Sequence, residues 1–206
     1  TASGSTTLCA GSSVVLTAAP ATSYLWSNGA TTQSISVQSA GSYTVQATSN
    51  GCSATSLPTV VQVNALPVAS ITASGPLTFC QGGSVTLSAA PATSYLWSNG
   101  ATTQSITVQN AGTYDVGLTQ NGCFAQSAPT QVVVQALPSV NVSASGPLTF
   151  CEGSSVTLTA DPANTYAWSN GATTQSITVS NSATLTLTSS NGVCSATSSP
   201  LNIQVL

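Results

Sequence analysis

The side chains that could carry proton, electron or bond chemistry reduce to six cysteines and three carboxylates, Asp115, Glu152 and Asp161, in a chain of 206 residues without His, Lys or Arg. Hydroxyls are abundant, but no Ser–His or Cys–His pair and no Schiff-base amine can be assembled without those types. A carboxylate pair for acid–base work must meet in one cleft. Asp115 falls on an expected strand, Glu152 and Asp161 flank another, and the three occupy non-equivalent points of the chain. Calcium sites want several clustered carboxylates, and neither His nor a CxxC pair offers a transition-metal set. The reading is a protein without catalysis, with no catalytic, cofactor-binding or metal residues. Phosphate recognition needs cations, and a formal charge of -3 with none excludes nucleic acid. No run approaches the roughly 20 apolar residues of a membrane span, so no membrane partner is expected.

The elements that hold these residues must be unusual ones. Charged residues are 1% of the chain, against about a quarter in ordinary soluble domains. Disordered chains are polar and highly charged, whereas this one is 41% hydrophobic, its apolar residues alternating with Ser, Thr, Gln and Asn. Such alternation is the mark of half-buried strands. Regularly spaced cysteines with no metal-type partner read as disulfides in an oxidising compartment, placing the chain outside the cell. With Thr1 first and no Met, the chain reads as a processed or excised segment.

Three copies of one unit account for the whole length. Trp26, Trp97 and Trp168 recur at a step of 71 residues, as do Cys9, Cys80 and Cys151, and again Cys52, Cys123 and Cys194. The string PATSYLWSNGATTQSI stands unchanged at 20–35 and 91–106 and returns as PANTYAWSNGATTQSI at 162–177. In the second copy the patterning predicts strand A at 69–73, B at 84–88, C at 94–97, E at 105–108, F at 113–118 and a long G at 130–135. Asn99-Gly100 reads as a type I′ turn, whose two central residues need positive φ, and Asn121-Gly122 as the turn between F and G. Nothing has helical periodicity. The expected domains are residues 1–66 (strand A truncated), 67–137 and 138–206.

The run SITVQNAGTYDV at 105–116 resembles the passage from strand E through the corner to strand F of Ig-like domains. The frame LTFCQGGSVTL…YLWSNGATTQSITV…AGTYDV…NGC is similar to the Ig-like and PKD-like repeats of large secreted bacterial surface proteins, over nearly the whole chain. The resemblance implies an all-β fold of three tandem Ig-like β-sandwich domains in a linear array. It makes Trp26, Trp97 and Trp168 strand C core residues and Tyr43 and Tyr114 corner tyrosines, with Leu185 at the corner position of the third copy. It says little of function, because such modules serve as spacers, adhesins and enzyme appendages alike. Asn141-Val142-Ser143 is a sequon able to accept an N-linked glycan.

The joints, NALPVAS at 64–70 and QALPSVN at 135–141, hold no flexible Gly/Ser run, and Pro67 or Pro138 stiffens each. At about 3.3 Å per strand residue, three domains in line would form a rod on the order of 100 Å. Thr1 aligns with Thr72 and Leu206 with Gln135, so seven residues would complete three full periods. The segment then reads as one period of a longer array, or as a protomer stacking head to tail with copies of itself. Two cysteines 43 residues apart in each copy suggest one bridge per domain, which would add roughly 4 kcal/mol. In an Ig sandwich, however, the start of B and the end of F lie at opposite poles, too far apart for a bridge. The alternative joins successive copies, Cys9 with Cys123 and Cys80 with Cys194, and leaves Cys52 and Cys151 for neighbouring protomers. Both pairings stay open on sequence. The expected function is structural, an extracellular fibre or cell-surface stalk, with copies of the chain as partner. Alternatives are an adhesin or glycan-binding module, for which glycans are the partner, and a spacer of a larger secreted protein.

Overall fold

The computed structural model describes residues 1–206 and is all β, with 26 short strands and no helix. By compactness it divides into two units. The first is Thr1–Thr72, Ser88–Ile106 and Tyr114–Thr130; the second is Ala73–Leu87, Thr107–Thr113 and Gln131–Leu206. Each takes in one terminal copy and part of the middle one.

In the first unit, Val14–Thr17 pairs antiparallel with Ser34–Val37, and Ala2 bridges to Leu16. Facing this pair, Ser23–Trp26, Val45–Ser49 and Cys52–Thr55 form a three-stranded antiparallel sheet. Thr7–Cys9 runs parallel to Thr59–Asn64, which also pairs antiparallel with Gly41–Tyr43. The second unit repeats this in the third copy. Val142–Ala144, Val156–Ala160 and Ser176–Val179 make one sheet, and Thr165–Trp168, Leu187–Ser190 and Ser195–Thr197 another. Thr149–Phe150 runs parallel to Leu201–Val205, with Ala183–Leu185 on the other side. A sheet of A, B and E facing C, F and G, with a second piece of the first strand parallel to G, is the Ig sandwich plan. The chain is thus an array of tandem Ig-like folds.

The cause is alternation. Val156–Ala160 buries Val156, Leu158 and Ala160 and leaves the Thr residues between them half-exposed. Each terminal copy closes over its tryptophan and the inward Val, Leu and Ile residues.

Several strands differ from the sequence expectation. In the middle copy, strand A is Ile71–Ala73 and B is Val85–Ala89, each shifted by one or two residues. Strand F is two pieces, Gly112–Tyr114 and Val116–Gln120. Two strands were not foreseen: Thr78–Cys80, parallel to Thr130–Gln135, and Cys123–Gln126, antiparallel to Val116–Gln120. The cause of the split lies on the neighbouring last strand. Pro58, Pro129 and Pro200 interrupt the last strand of each copy, and proline cannot donate to a ladder. Just before the break, a serine side chain replaces the missing backbone acceptor. Ser56 Oγ accepts the Val45 N–H at 3.1 Å, Ser127 Oγ that of Val116 at 3.1 Å, and Ser198 Oγ that of Leu187 at 3.0 Å.

The turn expected to be type I′ at Asn99-Gly100 is of another kind. Only Gly100 has positive φ, at 86°. The Gly100 N–H donates to Trp97 O and the Trp97 N–H to Ala101 O, both at 2.8 Å. These two bonds close a three-residue loop, a type I turn ending in a left-handed glycine. A two-residue I′ loop would have needed Asn99 left-handed as well. At Asn121-Gly122 both residues are left-handed, with φ 50° and 77°, as a I′ turn requires.

Candidate functional site at the joints between copies

The longest repeated string is occupied in folding. Within residues 20–35, Tyr24 Oη accepts the Ala21 N–H at 2.7 Å, and Trp26 Nε1 donates to Thr32 O at 2.8 Å. Asn28 Oδ1 accepts from Ala30 N, Thr32 Oγ1 donates to Ser34 O, and Gln33 Nε2 donates to Ala18 O. The same five bonds recur 71 residues on in the second copy and again in the third. Tyr24, Trp26, Asn28, Thr32 and Gln33, five of the side chains that make the motif recognisable, thereby serve the fold's own backbone. Trp26, Trp97 and Trp168 lie in the core at 5%, 1% and 3% exposure, so none presents a face to a ligand.

The other singled-out residues are placed as follows. Tyr43 Oη donates to Ser39 O at 3.0 Å, a bond across the corner. Tyr114 is half-buried, and Leu185 at the third copy's corner is buried in the core. Asn141 is exposed, but its Nδ2, the atom a glycan would take, donates to Asp161 Oδ2 at 3.1 Å and to Ser139 Oγ at 3.2 Å. Asp115, expected on a strand, sits in the break of strand F and accepts from Gln126 Nε2. Asp161 also accepts from Ser139 Oγ, and Glu152 is exposed. No three His, Cys, Asp or Glu side chains gather, and the clefts lined by 6–10 residues contain no carboxylate or thiol. No helix is long and apolar enough to cross a membrane. Phe124 is the most exposed aromatic ring at 56%. It covers Gly117, where an added Cβ would meet the ring at 2.6 Å.

What the structure brings together is cysteine, across copies. In the first unit Cys9 is bonded to Cys123, with Cα atoms 5.5 Å apart; in the second, Cys80 is bonded to Cys194, with Cα atoms 5.6 Å apart. The local frames explain why. Cys9 ends a strand and lies opposite Asn64, the last residue of its copy's final strand, while Cys80 lies opposite Gln135. Both therefore stand where the chain leaves one copy for the next. Cys123 and Cys194 follow the tight F–G turns of the next copy. Cys9 Sγ packs 3.8 Å from Gly122 O, and Cys80 Sγ 3.8 Å from Val193 O. A hydrogen bond from an asparagine side chain accompanies each bridge: Asn64 Nδ2 donates to Asn121 O, and Asn191 Nδ2 to Ala136 O, both at 3.0 Å. Cys123 and Cys194 are each 1% exposed. Cys52 and Cys151, grouped with the disulfide cysteines on sequence, carry exposed free thiols in the single chain. One bridge per domain is therefore not what forms.

The fold and these joints define a class, the tandem Ig-like array of short β-sandwiches stapled copy to copy. No family model matches the chain, and no curated protein matches it. Among solved structures it is similar to murine CEACAM1b, at 14% identity and a TM-score of 0.34 over 68% of this chain and 100% of that one. It is also similar to the N-terminal four Ig domains of Dscam1 isoform 9.44, at 12% identity and a TM-score of 0.30 over 97% of this chain and 71% of that one.

Proposed function

We propose that the chain is a structural protein, a repeating segment or protomer of an extracellular fibre or cell-surface stalk, without catalysis. On this reading it belongs with the Ig-like and PKD-like repeats of secreted bacterial surface proteins, and residues 1–66, 67–137 and 138–206 are its domains. The observation that carries it is the placement of the bridges. A disulfide inside a domain stabilises that domain; these two tie each copy to its successor. The loops they close overlap between Cys80 and Cys123, so both proline-containing joints lie inside a covalent ring. Nicking either joint leaves the pieces connected, which suits an element that bears tension in an oxidising exterior. Absence of Lys and Arg also removes every trypsin-type cleavage site. Electron microscopy of native material tests the reading: filaments with a three-domain axial period are expected, and isolated particles at all concentrations would overturn it.

A second reading, an adhesin or glycan-binding module, draws on Leu96 and Phe124, which are 58% and 56% exposed. By strand pairing they share one face of the sheet with Gly117 and Gln126. Glycan-array binding that disappears on Phe124→Ser would favour it over the fibre.

A further inference from the structure

We propose that Cys151 of one chain forms a disulfide with Cys52 of the next copy of the same chain, so that chains join head to tail through a third joint of the kind each already contains twice. The inference rests on the reading of the chain as a repeating structural segment and supplies its partner and its bond.

The argument is equivalence of frames. Cys151 follows Thr149–Phe150, which runs parallel to Leu201–Val205 just as the strands ending in Cys9 and Cys80 run parallel to the last strands of their copies. The hydrogen bond that closes this platform is kept in all three copies: Ala10 N to Asn64 O at 2.8 Å, Gln81 N to Gln135 O at 2.8 Å, and Glu152 N to Leu206 O at 3.1 Å. Cys52 opens Cys52–Thr55 and pairs with Ser49 across the Asn50-Gly51 turn, as Cys123 pairs with Gln120 across Asn121-Gly122. Those two turns have matching backbones, with φ 51° and 79° against 50° and 77°. The bonded F–G cysteines are 1% exposed, whereas Cys52, in the same local frame, is an exposed thiol. The rule obeyed twice is that the cysteine ending the short strand parallel to its copy's last strand (A′, at Thr7–Cys9 and Thr78–Cys80) bonds to the F–G cysteine of the following copy. Applied once more, it pairs Cys151 with the F–G cysteine of a following copy and Cys52 with the matching cysteine of a preceding one, each of which a second molecule of this segment can supply.

The chemistry needs an oxidant, taken here as a small-molecule disulfide such as oxidised glutathione. The Cys151 thiolate attacks one sulfur of that disulfide, its S–S bond breaks, and one glutathione leaves as thiol. The Cys52 thiolate of the neighbouring chain then attacks Cys151 Sγ and expels the second glutathione, which takes up the second proton. Two protein thiols become one disulfide, and one small disulfide becomes two thiols.

The test uses the whole chain in a glutathione redox buffer, read on non-reducing gels and by chymotryptic peptide mapping, since trypsin has no site. The expected result is a ladder in steps of 20.3 kDa that collapses on reduction, with a Cys52–Cys151 peptide. Cys52→Ser or Cys151→Ser alone, with circular dichroism verifying the fold, gives no ladder. An equimolar mixture of the two variants gives dimers and nothing larger. Cys52–Cys52 or Cys151–Cys151 peptides, a link between the two within one chain, or persistence as monomer in the oxidising buffer would each overturn the proposal. Filaments seen by microscopy while the gel shows only monomer would sink this bond yet leave the structural reading standing. A ladder without filaments would support the bond and count against the fibre.

Discussion

Replacing Ser127 by alanine should cost more than the same change at Ser56 or Ser198, although the three serines do the same job in the three copies. Each accepts a backbone N–H at the point where a proline forces the last strand out of its ladder with strand F. The difference lies in what replaces the lost acceptor. Ser127 is 7% exposed and the Val116 whose N–H it holds is 0% exposed, so water has little access and the donor is left unpaired in the interior. Ser198 is half-buried, beside a fully buried Leu187, and Ser56 is exposed, beside a Val45 that is 7% exposed. An unsatisfied buried donor costs about 1–3 kcal/mol, whereas a solvated one loses only the net value of a hydrogen bond, about 0.5–1 kcal/mol. The expected order is Ser127→Ala near 2 kcal/mol, Ser198→Ala near 1 and Ser56→Ala near 0.5, in that descending sequence. Little steric change confuses the comparison, because a single oxygen is removed each time.

Hydrogen exchange at the amides concerned is the assay, since global melting of several linked folds need not be two-state. A loss of 2 kcal/mol lowers the protection of the Val116 amide about 30-fold, and the Val45 amide should change only about two-fold in Ser56→Ala. Urea midpoints should follow the same order. Equal losses at all three sites, or a Val116 amide protected as before, would refute the claim that the serine hydroxyl substitutes for the broken ladder.

Other expectations follow from equally local features. Ser189 is 0% exposed with an Oγ that has no hydrogen-bond partner, at the position held by Leu118 in the middle copy; Ser189→Ala should therefore stabilise the third copy by about 1 kcal/mol, read as a rise in its urea midpoint. Cys80→Ser with Cys194→Ser opens a bridge spanning 114 residues and should cost roughly 4–5 kcal/mol in the chain-entropy model, with elastase cuts after Ala136 or Val140 in the second joint now separating the pieces. Gly100→Ala places a side chain at φ 86°, and should lower the thermal midpoint by an amount worth about 1 kcal/mol, against no change for Gly75→Ala, whose φ is ordinary and whose surroundings are open. With no His and a formal charge of -3, thermal midpoints between 50 mM and 1 M sodium chloride should differ by no more than a few degrees, and a large shift would mean that unrecognised charge contacts hold the fold.

The parts of this molecule that sequence discloses, and those it conceals, divide along a physical line. Strands C and E, at Ser94–Trp97 and Ser105–Val108, were legible to the residue because their alternating apolar positions face one core and their ends are set by turn residues next to them. Strand F was read as continuous across Asp115, because the ladder partner that breaks it is a proline some fourteen residues further on, and such cross-strand effects leave no trace in the periodicity of F itself. The A′ strand at Thr78–Cys80 was missed for a related reason. Its three residues owe their extended form to parallel pairing with Thr130–Gln135, more than fifty residues away. Those two omissions bear directly on the cysteines. Without A′ beside the last strand, nothing places Cys80 at the exit of its copy, and the choice between bridges within and between copies rests on the poles of a generic sandwich. Once A′ is in register with Gln135, the cysteine stands at the exit, and the partner it meets is the F–G turn of the following copy. The joint is therefore a property of neighbouring copies and not of any one of them. For the same reason Cys52 and Cys151 look unremarkable in isolation: the frame in which each stands has meaning only beside a neighbouring copy.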